Sequence, residues 1–127
     1  MKLRTRGNSV RLRVSKAELA EIAATGVAED AVRFAPGVVL RYGIEVCPSG
    51  AVRAELAGGV VRVLVPRSSI DLWLRPEEVS IEGQQPIGNG EFLRILVEKD
   101  YTCLAPRSGE DDGDLFANPQ VRKTSQT

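Results

Sequence analysis

The chain contains no histidine among its 127 residues. That absence removes the usual general base near neutral pH, the Ser-His and Cys-His nucleophile pairs, and every His-ligated zinc site. Cys47 and Cys103 are the only cysteines, too few for a disulfide framework or a Cys-rich zinc site. Aromatic residues make up 5%, so the basic residues have no stacking platform for nucleic acid bases. Neither sign of charge is in excess, Lys plus Arg (17) matching Asp plus Glu (17). A balanced chain has no global field to draw in nucleic acid or a membrane. No run approaches the roughly 18 apolar residues that a membrane span needs. The start, Met1-Lys2-Leu3-Arg4-Thr5-Arg6, is basic but lacks the apolar stretch of a signal peptide. The expectation is a soluble cytoplasmic protein with reduced thiols.

What is present is ordinary globular material, 43% apolar and 27% charged, long enough for one buried core. Strand-like alternation dominates it. Leu3 and Thr5 alternate with Lys2, Arg4 and Arg6, then Val10, Leu12 and Val14 with Ser9, Arg11 and Arg13. Gly7-Asn8 between them suits a two-residue type II′ hairpin loop. Ser15-Lys16-Ala17-Glu18 is a capping box, with Val14 and Leu19 at the staple positions, and opens a helix over about 16–25 closed by Gly26.

Further strands are expected at 31–34, 38–47, 51–57, 60–65, 79–82 and 91–104, separated by turns at Pro48-Ser49-Gly50, Gly58-Gly59 and Gly88-Asn89-Gly90. A short helix over about 69–74 stops at Pro76, with Trp73 as its core anchor. The pattern predicts a mainly β (α+β) fold: an antiparallel sheet of about eight short strands, meandering into a barrel or half-barrel, and no internal repeat. Residues 1–107 read as a single β-rich domain and 108–127 as an acidic, partly ordered tail.

Register arithmetic converts the alternation into contacts. A Gly7-Asn8 loop sets Arg4 opposite Arg11 and Lys2 opposite Arg13 on one face, with Leu3 opposite Leu12 on the other. Directly opposed like charges are unfavourable, on the scale of the roughly 0.2–1 kcal/mol of a cross-strand pair. The turns at Pro48–Gly50 and Gly58-Gly59 set Glu45 opposite Arg53 and Glu55 opposite Arg62, so those hairpins neutralise themselves. The first hairpin has Lys2, Arg4, Arg6, Arg11 and Arg13 and no acid. Four neutralising partners are open to it: water and salt; internal carboxylates at Glu45, Glu55, Glu82, Glu98, Asp100 or Glu110–Asp114; an anionic small molecule; and nucleic acid or an acidic protein segment.

Other chemistry is sparse. Gly88-Asn89-Gly90 precedes a strand rather than a helix and is a turn, not a phosphate loop. Glu98 and Asp100 share a strand face and are candidate oxygen ligands for Mg²⁺ or Mn²⁺, weighed against salt bridges to Arg94, Arg41 or the first hairpin. Glu110, Asp111 and Asp114 lack the ordered acid spacing of a calcium loop. Cys103 reads as a structural thiol.

Two stretches carry a resemblance. The opening, Lys2-Leu3-Arg4 through Gly7-Asn8-Ser9-Val10-Arg11-Leu12-Arg13 to Ser15–Glu18, is similar to that of a family of small bacterial proteins of unknown function. The strand Leu93-Arg94-Ile95-Leu96-Val97-Glu98-Lys99-Asp100-Tyr101 resembles the same family's closing strand. The ending with Glu110-Asp111, Asp114, Phe116 and Asn118-Pro119 also fits, although Ala117 stands where a proline is expected. The resemblance implies a bacterial origin and no activity. A looser likeness, in face chemistry alone, is to triphosphate-tunnel enzymes. Their first strand resembles Glu-x-Glu-x-Lys where this chain has Lys2-Leu3-Arg4-Thr5-Arg6, so the metal-holding acids are missing from their place.

These features lead to a first expectation, a small binding module without a cofactor, its basic hairpin face taking an anionic small molecule or an acidic protein segment. One alternative is a metal-dependent phosphohydrolase with Mg²⁺ or Mn²⁺ on Glu98 and Asp100. The other is a purely structural or interaction protein whose acidic tail pairs with the basic face.

Overall fold

Gly7 has φ +59°, the left-handed conformation a type II′ turn needs at its first position, and it folds the opening residues into a hairpin. The structure is a computed structural model describing residues 1–101. In it, β1 (Lys2–Thr5) and β2 (Ser9–Val14) pair in the expected register, with Lys2 opposite Arg13, Leu3 opposite Leu12 and Arg4 opposite Arg11. Helix α1 (Lys16–Thr25) follows. The Glu18 N–H donates to Ser15 Oγ at 3.2 Å, and the Ser15 N–H donates to Glu18 Oε1 at 2.8 Å, closing the capping box.

The remaining elements are β3 (Val27–Ala35), β4 (Val38–Cys47), β5 (Arg53–Ala57), β6 (Val60–Pro66), α2 (Arg67–Trp73), β7 (Ser80–Gly88) and β8 (Glu91–Lys99). The mainly β class, eight strands and two helices agree with the sequence pattern. Strand β3 starts at Val27 rather than Ala31, and β7 runs to Gly88 rather than Glu82. The expected end of the last strand, 102–104, and the tail at 108–127 lie outside the described residues, as does Cys103.

The connectivity is not a meander, and no closed barrel forms among the described residues. Two four-stranded mixed sheets form instead, in the orders β1-β2-β8-β7 and β3-β4-β6-β5. In each, two antiparallel hairpins meet through a parallel central pair, β2 with β8 and β4 with β6. Glu45 therefore does not face Arg53. Glu45 lies between Val27 and Leu64, and Arg53 pairs with Leu64, because residues 48–52 connect two units rather than closing a hairpin.

Those units are copies. The order hairpin–helix–hairpin occurs twice, as β1-β2-α1-β3-β4 and β5-β6-α2-β7-β8, contrary to the expectation of no repeat. Shifting the first hairpin by 51 positions reproduces the pairing of the third: Leu3 with Leu12 becomes Ala54 with Val63. Shifting the second by 53 reproduces the fourth, including its bulge, Arg33/Ala35 becoming Pro86/Gly88. Hydrogen bonds between elements repeat too. Arg41 N–H to Gly59 O (2.9 Å) matches Arg94 N–H to Asn8 O (3.1 Å), and Val46 N–H to Gly26 O (2.8 Å) matches Lys99 N–H to Val79 O (3.1 Å). Each sheet takes one hairpin from each copy, an internal form of the self-complementary interface of a two-fold dimer.

The core lies between the two sheets and draws on both copies. Leu12, Val14, Ile95 and Val97 come from one sheet and Ala28, Tyr42, Ile44, Val63 and Val65 from the other, with Ile22, Ile70 and Trp73 from the helices. Trp73 is 1% exposed and donates its indole N–H to Val79 O at 3.1 Å, the anchor expected of it. Gln85 on β7 stitches one sheet to the edge of the other. Its Oε1 accepts from the Ala54 N–H at 2.7 Å and its Nε2 donates to Ala54 O at 3.1 Å, so a side chain stands in for a neighbouring strand.

Candidate functional site

Alternation sends the charged residues of every central strand away from the core and onto the outer faces of the sheets. Across the first sheet the register gives two charged rows, Arg4–Arg11–Leu96–Glu82 and Lys2–Arg13–Glu98–Ser80. A third row has Ser9, Arg94 and Gln84, with Arg6 at its β1 end. The second sheet carries the equivalent rows Glu55–Arg62–Gly43–Glu29, Arg53–Leu64–Glu45–Val27 and Ala57–Val60–Arg41–Ala31. Arg11 and Arg62, Arg94 and Arg41, Glu98 and Glu45, and Glu82 and Glu29 are identical residues at matching places. The charge balance nevertheless differs. The first face sets six cations (Lys2, Arg4, Arg6, Arg11, Arg13, Arg94) against three carboxylates (Glu82, Glu98, and Asp100 just past the end of β8). The second sets four (Arg33, Arg41, Arg53, Arg62) against three (Glu29, Glu45, Glu55).

On the second face Arg41 and Arg62 are ion-paired, while Arg53 bonds only Cys47 Sγ and the Ala51 carbonyl and the buried Arg62 Nε–H has no hydrogen-bond partner among the described residues. Arg62 Nη1 donates to Glu45 Oε1 at 2.8 Å and its Nη2 donates to Glu29, which also lies 3.8 Å from Arg41 Nη1. The hydrogen bond to Glu45, helped by the charge of Glu29, raises the Arg62 pKa above its ordinary value in spite of burial. Glu55 stands opposite Arg62 as the hairpin register requires, but the hydrogen bonds of Arg62 go to the strands on its other side.

Gly43 is what lets Arg62 reach so far. It lies in the row between Arg62 and Glu29, and a Cβ there would run into Ala28 O. In the first sheet the same place holds Leu96, between Arg11 and Glu82. No ion pair joins Arg11 to Glu82 among the described residues; the Arg11 Nε lies 3.7 Å from Glu98 Oε1. That oxygen is already shared with Arg13, whose Nη2 and Nε donate to it at 2.9 and 3.2 Å.

The five predicted residues therefore separate into two groups. Lys2 pairs with Asp100 at 3.0 Å and Arg13 with Glu98, at the end of the face where β8 finishes. At the opposite end Arg4 and Arg6 have no carboxylate partner among the described residues, and Arg11 has only its long contact. Arg94, which the sequence analysis treated only as a salt-bridge partner for Glu98, joins them, also without an ion pair among the described residues. Arg4, Thr5, Arg6, Ser9, Arg11 and Arg94 line a groove of about 570 Å³. Arg94 was legible from its spacing, two and four residues before the outward Leu96 and Glu98; its closeness to Ser9 came from the parallel pairing of β2 with β8.

The candidate metal ligands Glu98 and Asp100 are held by cations, Glu98 by Arg13 and Arg11 and Asp100 by Lys2. Among the described residues no group of three or more His, Cys, Asp or Glu side chains converges as a ligand set. Among them also, no helix is long and apolar enough to cross a membrane.

Fold and surface together define a duplicated two-sheet β protein with one arginine-rich face and one nearly balanced face. The chain belongs to a family of unknown function (DUF7009), whose model matches residues 1–120. No curated protein and no solved structure matches it.

Proposed function

We propose that the protein is a binding module whose first-sheet face takes a phosphate-bearing small anion in the groove lined by Arg4, Arg6, Arg11 and Arg94. The supporting observation is the difference between two copies of one surface. The same strands in the same register carry a surplus of one positive charge on the second sheet and of three on the first. The guanidinium groups of Arg4 and Arg11 face one another in register and repel, and an anion between them removes that repulsion while accepting charge-assisted, bidentate hydrogen bonds. A binding surface is favoured over a tunnel enzyme because these side chains stand on the outer side of an open sheet, not inside a barrel.

The test is calorimetric titration with tripolyphosphate at low salt, on the wild type and on Arg4→Glu/Arg6→Glu. Binding that the double reversal abolishes, and that weakens as salt rises, is the expected result. Equal heats from both proteins would sink the reading. Repeating the titration with Mn²⁺ examines the phosphohydrolase alternative, which requires metal-dependent binding and turnover of the polyphosphate.

A further inference from the structure

We infer that the arginine face has an occupant within its own chain, the acidic segment Glu110–Asp114, which competes with external anions for Arg4, Arg6, Arg11 and Arg94. The inference rests on the anion-binding reading and assigns that site its regulation. Three observations carry it.

The first is charge complementarity. The segment Glu110-Asp111-Asp112-Gly113-Asp114 concentrates all four acids that lie beyond Asp100, opposite in sign to the surplus of three positive charges on the face. Excluding it, the chain has no comparable acidic run.

The second is the point of departure. The Asp100 N–H donates to Val14 O at 2.8 Å and its carboxylate pairs with Lys2 at 3.0 Å, which sets Asp100 at one end of the basic face. Its last contacts lie in line with the row Lys2–Arg13–Glu98, where the cations are already paired. The unpaired arginines begin one row further on.

The third is length. From the Lys2 row to the Arg6 row is about 13 Å at the rise of a strand. Nine residues lie between Asp100 and Glu110, and a chain of ten steps reaches at most about 33–36 Å. The acids therefore come within range of the groove without stretching the chain. A tether of this size presents them at an effective concentration in the millimolar range, enough to hold a weak electrostatic contact closed. Because the acids and the arginines are both screened by salt, the competition is strongest at low ionic strength and fades as salt rises.

The experiment uses the full chain and a variant with the segment neutralised, Glu110→Gln/Asp111→Asn/Asp112→Asn/Asp114→Asn, which leaves its length and the described fold intact. Tripolyphosphate affinity is measured by calorimetry, and the arginine side-chain Nε–H resonances are recorded by NMR without ligand. The expected result is roughly fivefold tighter tripolyphosphate binding by the neutralised chain, on the scale of a tethered weak competitor, with shifted resonances for Arg4, Arg6 and Arg94. Equal affinities in the two chains would overturn the inference and leave the anion-binding reading standing. If neither chain binds tripolyphosphate, that reading fails, and the resonances decide the inference alone: shifts confined to the face arginines support it, and superimposable spectra overturn it.

Discussion

Gly43 and Leu96 occupy matching positions on the two sheets, and the difference between them decides what the arginine beside each can reach. With no side chain at Gly43, Arg62 extends across β4 to Glu29 while also bonding Glu45. Leu96 fills that space on the other sheet, leaving Arg11 separated from Glu82 and with only a 3.7 Å contact to Glu98. One small-to-large difference between two copies thus separates a closed charge network from an open one.

Gly43→Ala puts a Cβ against Ala28 O, a backbone atom that cannot move without disturbing the β3–β4 pairing. A loss of about 1–3 kcal/mol is expected, the usual scale of overpacking. Thermal unfolding of the variant measures it. The reciprocal change, Leu96→Gly, opens the row between Arg11 and Glu82, and weaker tripolyphosphate binding by that variant is the expected readout.

Neither copy owns a core. Each sheet is half from one copy and half from the other, so residues 1–50 alone leave Val10, Leu12 and Ile44 without Ile95, Val97 and Val63 across the parallel central pairs. Fragments 1–50 and 51–127, mixed, should reassemble and restore the fluorescence of buried Trp73. A fragment 1–50 that folds cooperatively as a monomer would show the interlocking to be unnecessary for stability.

How much of this was legible depended on the distance along the chain over which each feature is specified. The register of β1 with β2 followed from Gly7-Asn8, because a two-residue loop leaves one pairing. The helix followed from Ser15 and Glu18, three residues apart. The parallel contacts of Ser9 with Arg94 and Arg41 with Val60 have no local signal; they arise because a core must be shared between distant hairpins. Pro48-Ser49-Gly50 suits a hairpin turn as well as a joint between copies, and so Glu45 was set opposite the wrong partner. The duplication is masked by its substitutions. Few pairs stay identical, among them Val10 and Val61, Arg11 and Arg62, Val14 and Val65, and Leu40 and Leu93, while Arg4 is replaced by Glu55 and Leu96 by Gly43.

Gln85→Ala removes both hydrogen bonds to Ala54 and leaves a half-buried N–H and C=O unpaired. A loss of about 1–3 kcal/mol is expected, read by chemical denaturation. Gln85→Val keeps the bulk without the polar groups and should not restore the loss; full recovery by valine would mean that packing, not hydrogen bonding, joins the sheets.

Stability should fall on acidification partly through Glu18. Burial pushes its pKa up, but the hydrogen bond from the Met1 ammonium (2.7 Å) and that from the Ser15 N–H outweigh it, and the net shift is downward. A carboxyl whose folded pKa lies below its unfolded one stabilises the fold above the ordinary glutamate range, and that contribution is lost as pH falls through the folded value. Glu18→Gln should therefore destabilise the protein at neutral pH and converge with the wild type in acid. Parallel stability curves would remove Glu18 from the account.

The central claim is that one face, and not its duplicate, binds anions. Titration of the protein with tripolyphosphate at low salt, followed through backbone amide NMR shifts, reads both sheets in one sample. Shifts should gather on Thr5, Ser9, Arg11 and Arg94 and leave Leu56, Val60, Arg62 and Arg41, their matches on the second sheet, unmoved. Equal shifts at both sets, or none at either, would contradict the account.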